Sequence, residues 1–161
     1  MRRRIRALLL DVDGVLTDGG MYYGPRGETL KKFNVKDGMG IRLVREAGVA
    51  VALVTGERSE AVLRRAEKLK IRDVFLGVED KGAVVRKFLA ARGIPPGEAA
   101  YVGDDVNDLP AMRFVGLAIA VADAVPAVRK AAHRVTSRRG GDGAVREVCD
   151  FILKSRAPSD R

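Results

Sequence analysis

The stretch Ile5-Arg6-Ala7-Leu8-Leu9-Leu10-Asp11-Val12-Asp13-Gly14 passes from apolar to acidic in a single step. Ile5 to Leu10 reads as a buried strand, and Asp11 opens an acidic loop that Gly14 closes. The same grammar recurs downstream. Val49 to Val54 is a second apolar run, ending at Thr55-Gly56, and Ala99 to Val102 a third, ending at Gly103-Asp104. Leu117 to Val121 is a fourth, with a short candidate at Val74 to Leu76. Unbroken apolar runs of this length suit parallel strands covered on both faces.

Amphipathic segments lie between the runs. Gly38 to Ala47 carries Ile41, Val44 and Ala47 on one side. Ser59 is placed to cap a helix through Leu69, on which Val62, Ala66 and Leu69 recur at helical spacing. Asp80 is placed to cap the next, with Val84, Val85, Phe88 and Leu89 as its apolar stripe and Gly93 with Pro95 as its stop. Asn107 to Phe114, Pro126 to Ala132 and Gly143 to Lys154 complete the set. Strand–helix alternation of this kind predicts an α/β fold, a doubly wound Rossmann-like parallel sheet with helices on both faces. One segment breaks the rhythm. Between residues 18 and 33, Met21-Tyr22-Tyr23 and Glu28 to Phe33 flank Gly24-Pro25-Arg26-Gly27, which predicts a small projecting β-hairpin. The whole chain, 1–161, reads as a single domain, with loose residues only at Arg156 to Arg161.

Composition agrees. The 161 residues are 47% apolar but only 5% aromatic, which suits a core of Val, Leu, Ala and Ile. The single Cys149 excludes an internal disulfide and a cysteine-based zinc site. The basic start, Met1 to Arg6, precedes too short an apolar run for a leader peptide, so a cytoplasmic location is expected. No stretch approaches the roughly 18 apolar residues of a membrane span. The net charge of +9 raises nucleic-acid binding, but the basic residues are spread out, with short runs only at Arg2–Arg4 and Arg138–Arg139. No aromatic residues interleave with them as stacking platforms, so no nucleic-acid or membrane partner is expected.

In a parallel α/β sheet, ligands bind beyond the carboxyl ends of the strands. The polar clusters of this chain fall there: Asp11-Val12-Asp13-Gly14, Thr55-Gly56 and Gly103-Asp104-Asp105 with Asp108, while Lys81 begins a helix at the same edge. A carboxylate can attack phosphorus once a divalent cation and a lysine offset the repulsion between anions. On this reading Asp11 is the nucleophile and forms an aspartyl-phosphate. Asp13 protonates the leaving alcohol and then activates water. Thr55 donates to the phosphoryl oxygens, and Lys81 balances the charge. Asp11, the backbone carbonyl of Asp13, and Asp104 suit Mg²⁺, with Asp105 and Asp108 backing these ligands or adding one. A calcium loop is the other reading of Asp-x-Asp-Gly. The twelfth position, however, is Tyr22 where such a loop needs Glu, and a strand precedes the motif where a helix should.

Together with Val15-Leu16-Thr17-Asp18-Gly19 and Val106-Asn107-Asp108, these motifs resemble the haloacid dehalogenase superfamily of phosphatases. Phe33-Asn34-Val35-Lys36-Asp37-Gly38-Met39-Gly40-Ile41-Arg42 and Gly140-Gly141-Asp142-Gly143-Ala144-Val145-Arg146-Glu147 narrow the likeness to the capless 3-deoxy-D-manno-octulosonate 8-phosphate phosphatases. The resemblance implies Mg²⁺, no cap domain, a phosphorylated 2-keto-3-deoxy sugar acid as substrate, and a role in lipopolysaccharide biosynthesis. It also implies a homotetramer whose hairpins pack together and whose sites are closed by an adjacent protomer. Carried over by position, the substrate-contacting set is Asp13, Asn34, Val35, Lys36, Asp37, Gly38, Arg42, Arg65 and Lys81, and Gly56 and Glu57 beside Thr55 are further substrate-binding candidates. Arg138 to Gly143 reads either as a tail reaching into a neighbour's site or as a flexible linker into the last helix.

One departure matters. After Thr55-Gly56 these phosphatases usually carry Arg, and this chain has Glu57. An Arg pairs with a substrate carboxylate, whereas Glu repels one. Glu57 with Lys68 resembles the related phosphatases of nine-carbon acids phosphorylated at the 9-position. This tips the choice toward that substrate, with the eight-carbon acid beside it. Two alternatives share the fold: a catalytically idle oligomerisation module and a general small-molecule phosphatase. His133 is expected at a helix end, and Cys149 in the core.

Overall fold

The computed structural model describes residues 4–156. Most of the basic start and residues 157–161 of the expected loose tail therefore lie outside the described residues. Six parallel strands form the sheet in the order β5-β4-β1-β6-β7-β8. They are β1 (Ala7–Leu10), β4 (Ala50–Val54), β5 (Asp73–Phe75), β6 (Ala99–Gly103), β7 (Leu117–Ala120) and β8 (Arg134–Val135). β1 pairs with β4 on one side and β6 on the other, with Leu10 opposite both Leu53 and Val102. Every residue of β1 and β6 is buried. The centre of the sheet is therefore covered on both faces, which is why these strands read as unbroken apolar runs.

The helices are α1 (Val35–Glu46), α2 (Glu60–Lys68), α3 (Lys81–Ala91), α4 (Leu109–Phe114), α5 (Pro126–Ala131) and α6 (Ala144–Arg156). α1 packs on α6, while α3 packs on α4 and α4 on α5, giving two helical layers. Cys149 is buried in the first of these layers, as expected. Because β1 sits between strands reached in opposite directions, its carboxyl end is the switch point where such sheets bind ligands.

The hairpin is present as β2 (Tyr22–Gly24) and β3 (Gly27–Leu30), antiparallel and joined through Pro25-Arg26. A bridge between Thr17 and Phe33 closes its base. Tyr22, Tyr23 and Leu30 are largely exposed upon it.

Several expectations need correction. α1 begins three residues before Gly38, because the Asn34 side chain accepts the Lys36 N–H at 2.8 Å and starts the helix there. Ser59 does precede α2, yet its hydroxyl makes no capping bond; it donates to Glu28 Oε1 on the hairpin at 2.6 Å. His133 stands at a helix end as expected, directly after Ala132, the C-cap of α5. Its Nδ1 accepts the Ala118 N–H at 2.8 Å, and its own N–H donates to the Ala118 carbonyl, tying the chain to β7 ahead of β8.

Arg138 to Gly143 is not a free linker, because its two central glycines are pinned within the protomer. Gly140 and Gly141 are buried against the loop that follows β1, and Gly141 N–H donates to the Val15 carbonyl at 3.0 Å. A Cβ on Gly140 would stand 1.7 Å from the Gly14 carbonyl oxygen, so only glycine permits this approach.

Candidate active site

Asp11 stands at the end of β1 and is 5% exposed. Its Oδ1 accepts the Val12 N–H at 2.7 Å, and its own N–H donates to the Val102 carbonyl. The chain then coils so that the N–H groups of Val15, Leu16 and Thr17 all point to the Val12 carbonyl. Gly14 sits in this coil at φ +85°, with Asp104 so close that an added Cβ would stand 1.9 Å from Oδ2. The loop therefore lies directly against the end of β6.

Thr55, at the end of β4, is buried, and its hydroxyl oxygen accepts the Glu57 N–H at 3.2 Å. That leaves its own proton free to donate into the site. Lys81 opens α3, where Asp80 caps the helix through the Ala83 N–H at 3.0 Å. The Lys81 ammonium is 2.8 Å from Asp11 Oδ1 and 2.8 Å from Asp108 Oδ1.

Asp108 is the hub of the floor. Its Oδ1 also accepts the Tyr101 hydroxyl at 2.7 Å, and its Oδ2 accepts the N–H groups of Asp104 at 2.9 Å and Asp105 at 3.2 Å. Four donors therefore occupy it. Carboxylate oxygens of Asp11, Asp104 and Asp108 lie within 4.8 Å of one another. Asp105 lies outside this group, with its Oδ1 turned to the Val106 N–H at 2.7 Å.

The charges in this cluster do not balance. Three carboxylates face one ammonium. Burial, then the charge of Asp108, pushes the Asp11 carboxyl well above the usual range, against the pull of Lys81. Burial and the neighbouring carboxylates push Asp104 up to about 6. Burial opposes the charge on Lys81, but Asp11 and Asp108 outweigh it and the pKa is raised. An excess of buried oxygen donors beside a single cation is the donor set a hard divalent ion takes. These residues fit Mg²⁺.

A cavity of about 260 Å³ at this edge is lined by Asp11, Asp13, Gly19, Met21, Thr55, Gly56, Glu57, Lys81, Asp104, Asp105 and Asn107. It brings together Asp11, Asp13, Thr55, Gly56, Glu57 and Lys81 from the expected set. Asp104 and Asp105 of the expected metal set line it too, and Asp108 is bonded to Lys81 beside it, while the remaining expected substrate residues lie elsewhere in the protomer. Val35, Gly38, Arg42 and Arg65 line a separate cavity of about 470 Å³ with Lys68, and Asn34 and Lys36 line another. Asp37 is buried, and its Oδ1 accepts the Arg146 N–H at 2.9 Å, so it caps α6 from α1. Arg65 reaches back to the Asn34 carbonyl at 3.3 Å and lies over the Phe33 ring.

Sequence reasoning missed Lys31, just beyond β3, whose ammonium is 2.6 Å from Asp13 Oδ1 and 2.8 Å from Glu28 Oε2. It missed Tyr101 as well. Lys31 sits among polar hairpin residues and Tyr101 inside an apolar strand, and neither position carries a local signal.

Comparison with known proteins gives one family. Residues 77–148 match the haloacid dehalogenase-like hydrolases. The 3-deoxy-D-manno-octulosonate 8-phosphate phosphatase of Yersinia pestis is 48% identical over 149 residues, 92% of this chain and 80% of that protein. The cobalt-bound phosphatase of that name from Haemophilus influenzae superposes with a TM-score of 0.94 at 40% identity, covering 96% of this chain and 91% of that one. The Moraxella catarrhalis phosphatase, solved with magnesium, phosphate and the octulosonate, superposes at 0.92 with 39% identity over 96% and 88% of the two chains.

Proposed function

Since the chain belongs to the 3-deoxy-D-manno-octulosonate 8-phosphate phosphatases of the haloacid dehalogenase-like hydrolases, we propose that it cleaves the 8-phosphate of that eight-carbon sugar acid, with Mg²⁺ as cofactor. The observation that carries the reading is the pairing of buried Asp11 with buried Lys81 in a cavity shared with Thr55 and Asp104.

Each residue has a task in two transfers. Asp11 attacks phosphorus through a carboxylate oxygen as the bond from phosphorus to the sugar oxygen breaks. Lys81 favours the ionised form of Asp11 against burial and the charge of Asp108 and meets phosphoryl charge, and the Thr55 hydroxyl donates to a phosphoryl oxygen. Asp13 gives its proton to the departing sugar oxygen. In the second transfer Asp13 takes a proton from water, which displaces Asp11 from phosphorus and releases phosphate. Asp11, Asp104 and the Asp13 carbonyl would hold Mg²⁺, which would supply the positive charge that lets one anion approach another. Asp108 holds Lys81 and the Asp104 backbone in place, and the unpaired acids of the site speak against an idle module.

Glu57 favours a second reading. It lines the same cavity, where a carboxylate disfavours the acid group of a substrate. The names of the relatives move the first choice to the eight-carbon acid, and Glu57 keeps the nine-carbon 9-phosphate as the competitor. Phosphate release from both, with Asp11→Asn as the blank, decides between them. Faster release from the nine-carbon substrate, reversed in Glu57→Arg, would overturn the first choice.

The assembly is a homotetramer in the cytoplasm on this reading. Its support is the exposed apolar set Met21, Tyr22, Tyr23 and Leu30 on the hairpin, and the distribution of Arg42 and Arg65 to a cavity away from Asp11. A neighbouring protomer would bring that second cavity's cations to the site. Sedimentation of the intact protein at four chain masses is the expected result, and a monomer would remove this part.

A further inference from the structure

The hairpin carries a cation into the site. Lys31 has a side chain 0% exposed, although Tyr22, Tyr23 and Leu30 on the same hairpin face outward. Withdrawing an ammonium from water is costly unless charged acceptors receive it. Here two do, Asp13 Oδ1 at 2.6 Å and Glu28 Oε2 at 2.8 Å. Glu28 is itself held by the Ser59 hydroxyl at 2.6 Å, just before α2. The chain Asp13–Lys31–Glu28–Ser59 thus runs from the loop after β1, across the hairpin, to the segment that follows Thr55. Among the described residues, Lys31 is the one hydrogen-bond partner of the Asp13 carboxyl group, and Oδ2 makes no such bond.

We propose that Lys31 is a positioning residue for Asp13, fixing the rotation of its carboxyl group by donating to Oδ1 so that Oδ2 handles the proton. The proposal rests on the reading of Asp13 as acid and base. In the first transfer, the Oδ2 proton passes to the sugar oxygen as its bond to phosphorus breaks and the bond from Asp11 forms. In the second, a water proton returns to Oδ2 as the water oxygen bonds to phosphorus and the bond to Asp11 breaks. Lys31 keeps its own protons throughout. A single-bonded carboxyl group on an open loop would otherwise rotate, and proton transfer needs hydrogen-bond reach to one defined oxygen. Glu28 matters because it holds the ammonium from the far side, so that Lys31 cannot swing out with the hairpin strand.

The competing view is that Lys31 only fastens the hairpin. The two views differ in how the loss depends on the leaving group. An alkyl oxygen needs a proton to depart, whereas p-nitrophenolate does not. The experiment measures kcat/KM for the sugar acid phosphate and for p-nitrophenyl phosphate in wild type, Lys31→Met, Lys31→Arg and Asp13→Asn. Their ratio does not depend on the fraction of enzyme that folds. Lys31→Met is expected to lower the sugar-phosphate value about 100-fold and the aryl value less than about 3-fold, within the usual range for general-acid catalysis. Lys31→Arg should restore the ratio to within about 10-fold, since it keeps the donor and the charge.

Equal losses on both substrates, or no loss on either, would overturn the proposal. An Asp13→Asn variant without this discrimination would overturn the acid–base reading beneath it. If wild type releases phosphate from neither sugar acid, the ratio is taken on an alkyl phosphate that it does hydrolyse. Failure of the substrate assignment is thereby separated from failure of Lys31.

Discussion

Lys81 Nζ lies 2.8 Å from Asp11 Oδ1 across 70 residues of sequence, and the two side chains are only 1% and 7% exposed. The pair joins the first strand of the fold to the start of α3 inside the sheet edge, with Asp108 as a third member. Breaking a buried ion network by removing one partner is expensive, because the charges left behind have lost their compensation. Lys81→Met is therefore expected to lower stability by about 3 kcal/mol near neutral pH, read from the urea midpoint. Phosphate release should fall at least about 100-fold, because the nucleophile loses its cation and the phosphoryl group its donor. An unchanged midpoint would show that Asp11 and Asp108 are not held charged by this lysine.

The acid cluster makes stability depend on pH and on the metal together. Asp104 is raised from 3.8 to about 6, chiefly by burial, and Asp11 is raised in the same direction. Between those values the folded, metal-free protein binds protons that the unfolded chain has released. The contribution of these groups is therefore fully present below pH 4 and falls as pH rises toward 6 and beyond. Mg²⁺ needs the same oxygens deprotonated, so its effect grows over this range. A tenfold excess over its dissociation constant adds about 1.4 kcal/mol, or roughly 4 °C in Tm for a chain of this size. Calorimetry with and without Mg²⁺ should show a Tm difference that widens from pH 5 to pH 7. A difference constant with pH would place the ion elsewhere.

Gly140 tests whether the Arg138 to Gly143 segment supports catalysis from within the protomer. Its absent Cβ would meet the Gly14 carbonyl oxygen at 1.7 Å and the Thr17 carbonyl oxygen at 3.2 Å, both backbone atoms. Neither can turn aside as a flexible side chain would. Gly140→Ala must push the loop that carries Asp11 and Asp13, at a cost of about 3 kcal/mol or more in overpacking. The remaining folded enzyme should also have a lower kcat. Gly97→Ala, where nothing lies within 4 Å, is the matched control and should do little. Equal behaviour of the two variants would refute the clamp.

Much of this architecture is written locally. Leu10 is followed at once by Asp11, Val54 by Thr55 and Gly103 by Asp104, and a polar residue directly after a doubly buried strand has few structural uses. Asp80 ahead of Lys81 likewise announces a helix start. What escaped depends on partners far away in the chain. Asp37 is a polar residue near a helix start, and only the approach of α6, 109 residues on, makes it a cap for Arg146. Gly140 and Gly141 read as flexible because glycine serves both mobile linkers and close contacts, and sequence does not distinguish the two. Two-residue β8 is held by pairing with β7 at the sheet's edge and has no hydrophobic pattern of its own. The expected substrate residues came as one set by likeness, yet within a protomer they divide among separate cavities.

Asp104 and Asp108 should part company when each is changed to Asn, although both belong to one acid cluster. Asp108 already accepts four hydrogen bonds, from Lys81, Tyr101 and the N–H groups of Asp104 and Asp105. An amide in its place turns an NH₂ toward at least one of these donors, leaving buried donors facing each other at a cost of about 2 kcal/mol or more. Asp104 shares a side-chain hydrogen bond with Asp11 but lacks the four donors that meet Asp108, and its carboxyl group is raised chiefly by burial, with the charges of Asp108 and Asp105 adding to it. Asp104→Asn removes one of the crowded charges, so the metal-free protein should become more stable at pH 7. It should also lose Mg²⁺ binding, measured by titration calorimetry. Asp108→Asn should give the opposite stability change and weaken Mg²⁺ binding about 10- to 100-fold, as loss of an outer support does, without abolishing it. If Asp108→Asn alone abolished binding while Asp104→Asn kept it, the ligand and the support would have to exchange places.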